Sequence, residues 1–111
     1  MEIKVEQVNG VFVARLSGVL DEESHGHFEE KLHPLVVERG NRIVLDLAGV
    51  PRITSMGLSE LVTLAARANT KGATLVLAAP SPFVRSVLSV TRLDKFFSVM
   101  ETVEQLLREG T

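Results

Sequence analysis

The sequence predicts an α/β fold, a mixed β-sheet that opens with an antiparallel hairpin and is packed by about four helices. Three observations carry this. Asn9-Gly10 stands between two stretches of alternating apolar residues, Ile3 and Val5 before it and Val11 and Val13 after it. Both turn residues tolerate the positive φ of a type I′ turn, so residues 2–8 and 11–17 read as a hairpin. Ile43-Val44-Leu45-Asp46-Leu47 is a nearly continuous apolar run, the pattern of a strand buried on both faces of a parallel sheet. Gly49, Val50 and Pro51 end it, and the polar pair Thr54-Ser55 then precedes Leu58, Leu61, Val62 and Ala65, whose spacing is helical.

The remaining elements follow in order. Asp21 is placed to cap a helix whose first turn carries Glu22 and Glu23, with Phe28, Leu32, Leu35 and Val36 as its buried stripe and Gly40 as its stop. Pro34 removes a donor and disfavours α geometry at His33, which predicts a kink or break there. The second helix is expected from about Met56 to Asn69, closed by Lys71-Gly72, and Ala73–Ala78 reads as a second buried strand. Ser81-Pro82 supplies an N-cap and a first-turn proline for a short helix through Phe83, Val84, Val87 and Leu88. Phe96–Val99 reads as a short edge strand, and Val103, Leu106 and Leu107 as a last helix against the sheet. The order ββαβαβαβα is that of one domain over residues 1–111.

Composition excludes several functions. Hydrophobic residues are 45% of the chain and charged residues 23%, the balance of a soluble globular protein. The formal net charge is -2 with no basic run, so nucleic acid is not an expected partner. With no cysteine, disulfides, thiol redox chemistry and thiolate metal sites are ruled out. No apolar run approaches the roughly 20 residues of a membrane span. The opening MEIKVEQ lacks the basic and apolar regions of a signal peptide, and the expected location is the cytoplasm.

Thr54 and Ser55 sit where a loop after a strand becomes a helix, the place where open α/β sheets carry their working residues. One of the two hydroxyls is expected to be the N-cap, close to unpaired N–H groups and the positive end of the helix dipole. A nucleophilic serine needs a base within reach, and Ser55-Met56-Gly57 is not a G-x-S-x-G elbow because Ile53 holds the first glycine position. His25, His27 and His33 all fall on the first helix and read as surface residues. An enzyme is therefore not expected, nor a cofactor, since no glycine-rich phosphate cradle occurs. A receiver domain phosphorylated on Asp46 is disfavoured too. The acidic cluster Asp21-Glu22-Glu23 follows the second strand and not the first, and Asp46 lies inside the apolar run.

Four segments resemble the STAS domains, in particular bacterial anti-sigma factor antagonists. Leu16-Ser17-Gly18-Val19-Leu20-Asp21 is similar to the family's L-x-G-x-L-D, and Val44-Leu45-Asp46-Leu47-Ala48-Gly49-Val50 to its V-x-D-L-S-x-V strand. Ile53-Thr54-Ser55-Met56-Gly57-Leu58 resembles its I-D-S-[ST]-G-L motif. Leu77-Ala78-Ala79-Pro80 with Val84, Leu88 and Leu93 follows its L-x-x-x-P-x-x-x-V-x-x-x-L pattern. Thr54 stands where the family usually has Asp, Met56 where it has Ser or Thr, and Arg52 where an apolar residue is common. The resemblance implies a STAS-type fold and a switch by partner exchange. The unmodified form would bind an anti-sigma factor with serine kinase activity and free a sigma factor. That partner would phosphorylate Ser55, and a metal-dependent phosphatase would reverse it. Asp21, Arg52, Thr54, Ser55, Met56 and Gly57 would lie on the partner-binding surface, with Ser59 and Glu60 on the next turn. The alternative is a STAS scaffold or transport-associated subunit that is not phosphorylated.

Overall fold

The structure, a computed structural model, describes residues 1–104. β1 (Glu2–Val8) and β2 (Val11–Ser17) form the expected hairpin, in register from Glu2 opposite Ser17 to Val8 opposite Val11. Asn9 and Gly10 take φ of 51° and 80°, both positive as a type I′ turn requires. β3 (Arg42–Gly49), β4 (Thr74–Ala78) and β5 (Ser98–Met100) join in parallel, giving a sheet ordered β1-β2-β3-β4-β5.

The first helical region is divided. A 3-10 turn, Glu22–Ser24, runs into α1 (His25–Lys31), and after Leu32 a separate short helix follows, α2 (His33–Val36). Pro34 has no N–H to return to the carbonyl of Glu30, so the helix cannot continue unbroken. The distortion falls on Leu32 (φ -110°), one residue before the position expected from the proline rule, and His33 stays helical. Leu32 joins the two pieces by donating to the Phe28 carbonyl at 2.9 Å and accepting from Leu35 at 3.0 Å. The helix also ends at Val36, well before Gly40, whose N–H instead donates to the Gly72 carbonyl at 2.9 Å.

α3 (Ser55–Lys71) is slightly longer than expected and closes on Gly72, while α4 (Pro82–Val90) starts from the Ser81 cap. The edge strand begins at Ser98, because Phe96 and Phe97 are taken up in the preceding turn with their rings edge to face, 5.0 Å apart. Val103 is buried, and the other two residues assigned to a last helix, Leu106 and Leu107, lie outside the described residues.

The sheet is apolar on both faces, which is why β3 reads as a continuous run. On one face Ile43, Leu45, Leu47 and Leu77 pack with Phe28, Leu32, Val36, Leu61, Leu64, Val84 and Leu88 from the helices. On the other, Val11, Val13, Val44 and Ala78 gather with Val103. Asp46 belongs to this second face. It accepts from Arg15 at 2.7 Å and from the Ala48 N–H at 3.0 Å, which accounts for a carboxylate within the strand. Among the described residues no helix is long and apolar enough to cross a membrane.

Candidate functional site

The site forms where β2, β3 and β4 end, and three segments hold it. The loop from Val50 to Thr54 runs beside the chain leaving β2. Leu20 donates its N–H to the Arg52 carbonyl at 3.1 Å and accepts from the Thr54 N–H at 2.9 Å, a one-residue parallel bridge between Leu20 and Ile53. From the other side Ser81 donates its hydroxyl to the Val50 carbonyl at 2.7 Å while capping α4.

Thr54, and not Ser55, caps α3. Its backbone is extended and its Oγ1 accepts from the Gly57 N–H at 3.1 Å. Ser55 is the first helical residue and is exposed, and among the described residues its hydroxyl makes no hydrogen bond. The N–H groups of Ser55 and Met56 also find no acceptor among the described residues, so they remain open at the positive end of a 17-residue helix. Thr54→Ala should therefore cost about 1 kcal/mol of stability, whereas Ser55→Ala should unfold close to wild type. Urea titrations of the two variants check this, and equal losses would reassign the cap.

Gly57 is buried because it touches the chain leaving β2. A Cβ there would overlap the Leu20 carbonyl oxygen, 2.5 Å from the Leu20 carbonyl carbon and 3.0 Å from the Asp21 nitrogen. Asp21 is thereby set directly beside the start of α3. Its Oδ1 accepts from the Glu23 N–H at 3.0 Å and its own N–H donates to Ser24 Oγ at 3.1 Å, so it caps the first helical turn as its sequence position suggested.

Asp21, Arg52, Thr54, Ser55, Met56 and Gly57 thus gather around the Leu20 bridge. Arg52 is exposed, and its guanidinium has no partner among the described residues. Met56 is 57% exposed. Ser59 lies one turn on and donates its hydroxyl to the Ser55 carbonyl at 3.1 Å. Glu60 faces inward instead, with His25 Nδ1 at 3.0 Å joining α1 to α3. No histidine hydrogen-bonds the Ser55 hydroxyl, and no set of metal ligands gathers, among the described residues.

His33 corrects the sequence reading: it is buried on α2 and not a surface residue. Arg67 Nη1 donates to its Nδ1 at 3.0 Å, which puts the ring proton on Nε2. Nε2 lies 3.7 Å from Glu29 Oε1 and is itself without a hydrogen bond among the described residues. Burial lowers the imidazole below its ordinary value; Glu29 opposes that and Arg67 adds to it. Nothing local marked this residue, since Arg67 is far away in sequence.

Residues 2–106 match the model of the STAS domain. The chain belongs to the STAS domain family. Over 104 residues it is 28% identical to BtrV of Bordetella bronchiseptica, a protein whose name proposes an anti-sigma factor antagonist, covering 94% of this chain and 90% of that one. A crystal structure of an anti-sigma factor antagonist from Mycobacterium paratuberculosis superposes with a TM-score of 0.84 at 26% identity, covering 97% of this chain and 92% of the other. SpoIIAA of Bacillus, in its unphosphorylated form, shares the fold with a TM-score of 0.77 at 21% identity over 97% of this chain and 95% of its own. The β2–β3–α3 junction of this chain presents the exposed Arg52, Thr54 and Ser55, with the Ser55 hydroxyl open among the described residues.

Proposed function

We propose that this STAS domain is an anti-sigma factor antagonist of the cytoplasm, a binding protein and not an enzyme. Its unmodified form binds an anti-sigma factor with serine kinase activity, which releases a sigma factor. Phosphorylation of Ser55 by that partner ends binding, and a metal-dependent phosphatase restores it. Asp21, Arg52, Thr54, Ser55, Met56, Gly57, Ser59 and Glu60 form or support the surface. BtrV and the mycobacterial structure, both named for this role, support the assignment.

One observation carries the switch: Thr54 does the capping, which leaves the neighbouring Ser55 hydroxyl exposed and, among the described residues, unbonded. A phosphate there adds about 1.5 to 2 negative charges beside open N–H groups and the positive helix end, which favours it by about 0.3–1 kcal/mol. Arg52 is a nearby cation for it. The fold tolerates the group, but an interface shaped around a hydroxyl does not, because the phosphate must lose its water there. Ser55→Glu should melt like wild type yet bind the anti-sigma factor at least tenfold more weakly, a loss of about 1.4 kcal/mol. Ser55→Ala should bind and resist phosphorylation. Calorimetric titration and mass spectrometry of Ser55 after incubation with the partner and ATP decide it. Wild-type affinity of Ser55→Glu would leave the unphosphorylated scaffold or transport-associated subunit as the reading.

A further inference from the structure

β1 is the end of the sheet, and among the described residues no strand lies beyond it. It runs for seven residues without proline or bulge, in unbroken register with β2. Val8 and Val11 close the two-residue turn as a hydrogen-bonded pair, so Glu2, Lys4, Glu6 and Val8 aim their backbone groups at β2. Ile3, Val5 and Gln7 alternate with them and aim theirs outward, where they meet no backbone partner among the described residues. The Val5 side chain is 37% exposed.

An open edge is a template for another strand, and charge is the usual guard against it. The charges of β1 select one partner instead. Glu2, Lys4 and Glu6 share one face of the strand. When a second β1 is laid antiparallel and centred on Val5, all seven residues pair. Lys4 then stands opposite Glu6 of the copy, at the closer positions without backbone hydrogen bonds, and Val5 stands opposite its counterpart. Moving the centre to Lys4 sets Lys4 against itself and Glu2 against Glu6, and moving it to Glu6 sets Glu6 against itself. Lys4 is also poorly matched within one chain. It faces a like charge, Arg15, across the hairpin, and among the described residues its only ion pair is with Glu2 at 3.9 Å. Arg15 is held by Asp46 at 2.7 Å and by Glu6 at 3.3 Å.

We propose that β1 is a self-pairing edge, through which two copies of this chain join antiparallel about Val5 into one continuous sheet. Glu6 of the copy gives Lys4 its carboxylate, and the two Val5 side chains cover each other. One strand pair is a small interface, so the dimer is weak and depends on concentration. The proposal stands whether or not Ser55 is phosphorylated. Analytical ultracentrifugation of the full chain over a concentration series tests it, with thermal melts to show that each variant is folded. Wild type should show a reversible monomer–dimer equilibrium. Lys4→Glu opposes carboxylates across the pair and Glu6→Lys opposes ammonium groups, so each alone should dimerise roughly tenfold more weakly or worse. Mixed together, these two variants are complementary, and they should associate with each other about as tightly as wild type does with itself. Val5→Pro removes an outward N–H that β2 does not use, so it should fold and lose the dimer. A wild type that stays monomeric up to its solubility limit would overturn the proposal. So would a dimer indifferent to both charge reversals, a mixture that fails to associate, or a folded Val5→Pro that still dimerises.

Discussion

Gly57→Ala should be among the most damaging single-methyl changes available to this chain. In a solvent-facing helix the same substitution stabilises by about 0.5–1 kcal/mol, because alanine restricts the unfolded chain. Gly57 reverses the sign. Its missing Cβ is what lets α3 approach the Leu20 carbonyl, and that carbonyl cannot retreat. It is bonded to the Thr54 N–H at 2.9 Å, and the Leu20 N–H is bonded to Arg52 at 3.1 Å on the same loop. Making room means breaking the bridge or tilting the start of α3, and overpacking of that kind costs about 1–3 kcal/mol. Lost hydrogen bonds add about 1 kcal/mol each. A loss above about 2 kcal/mol would lower the melting temperature by roughly 10 °C in a chain of this size. Gly26→Ala is the matched control, since that glycine lies on α1 and an added methyl would meet nothing within 4 Å. It should melt slightly higher than wild type. If Gly57→Ala behaves like Gly26→Ala, the close contact between α3 and Leu20 does not exist, and the gathered site loses its foundation.

The readable parts of the sequence were those fixed by neighbours. Asn9-Gly10 specifies its turn alone, the apolar run at 43–47 reports burial on both faces, and Ser81-Pro82 announces a helix start. The candidate site could be placed along the chain, because Thr54-Ser55 stands between two strong patterns, the apolar run of β3 and the helical spacing of α3. Which hydroxyl caps was not readable, since either residue could turn its oxygen toward the next N–H groups and only backbone geometry decides. What escaped was whatever depends on distant partners. Gly57 answers to Leu20, Glu60 to His25 and Ser81 to Val50, all across more than 30 residues. The break at Leu32 escaped differently: the proline rule names the strained neighbourhood, and packing of Leu32 into the core fixes which residue bends.

Acid should weaken the fold through His33. The ring is buried between α1, which presents Glu29, and α3, which presents Arg67 and, farther off, Glu60. Burial is the largest influence on its proton affinity and lowers it; Glu29 and Glu60 oppose that, while Arg67 and His25 add to it. Because Arg67 donates to Nδ1, protonating that nitrogen would set two donors and two positive charges against each other. The native state therefore holds His33 neutral to lower pH than the unfolded chain, where the imidazole titrates near about 6.5. The sign follows from proton binding: below about 6.5 the unfolded state takes up more protons, so unfolding becomes easier as pH falls. The stability tied to a neutral His33 is fully present above about 6.5 and is lost as pH drops toward the lowered native value. Urea midpoints between about pH 7.5 and 5 should decline for wild type. His33→Gln keeps an oxygen to accept from Arg67 but cannot titrate there, so its midpoint should fall less steeply. His27→Gln, an exposed position on α1, should follow the wild-type slope. A His33→Gln slope equal to wild type would assign the acid sensitivity to the carboxylates and leave His33 a neutral packing group at every pH.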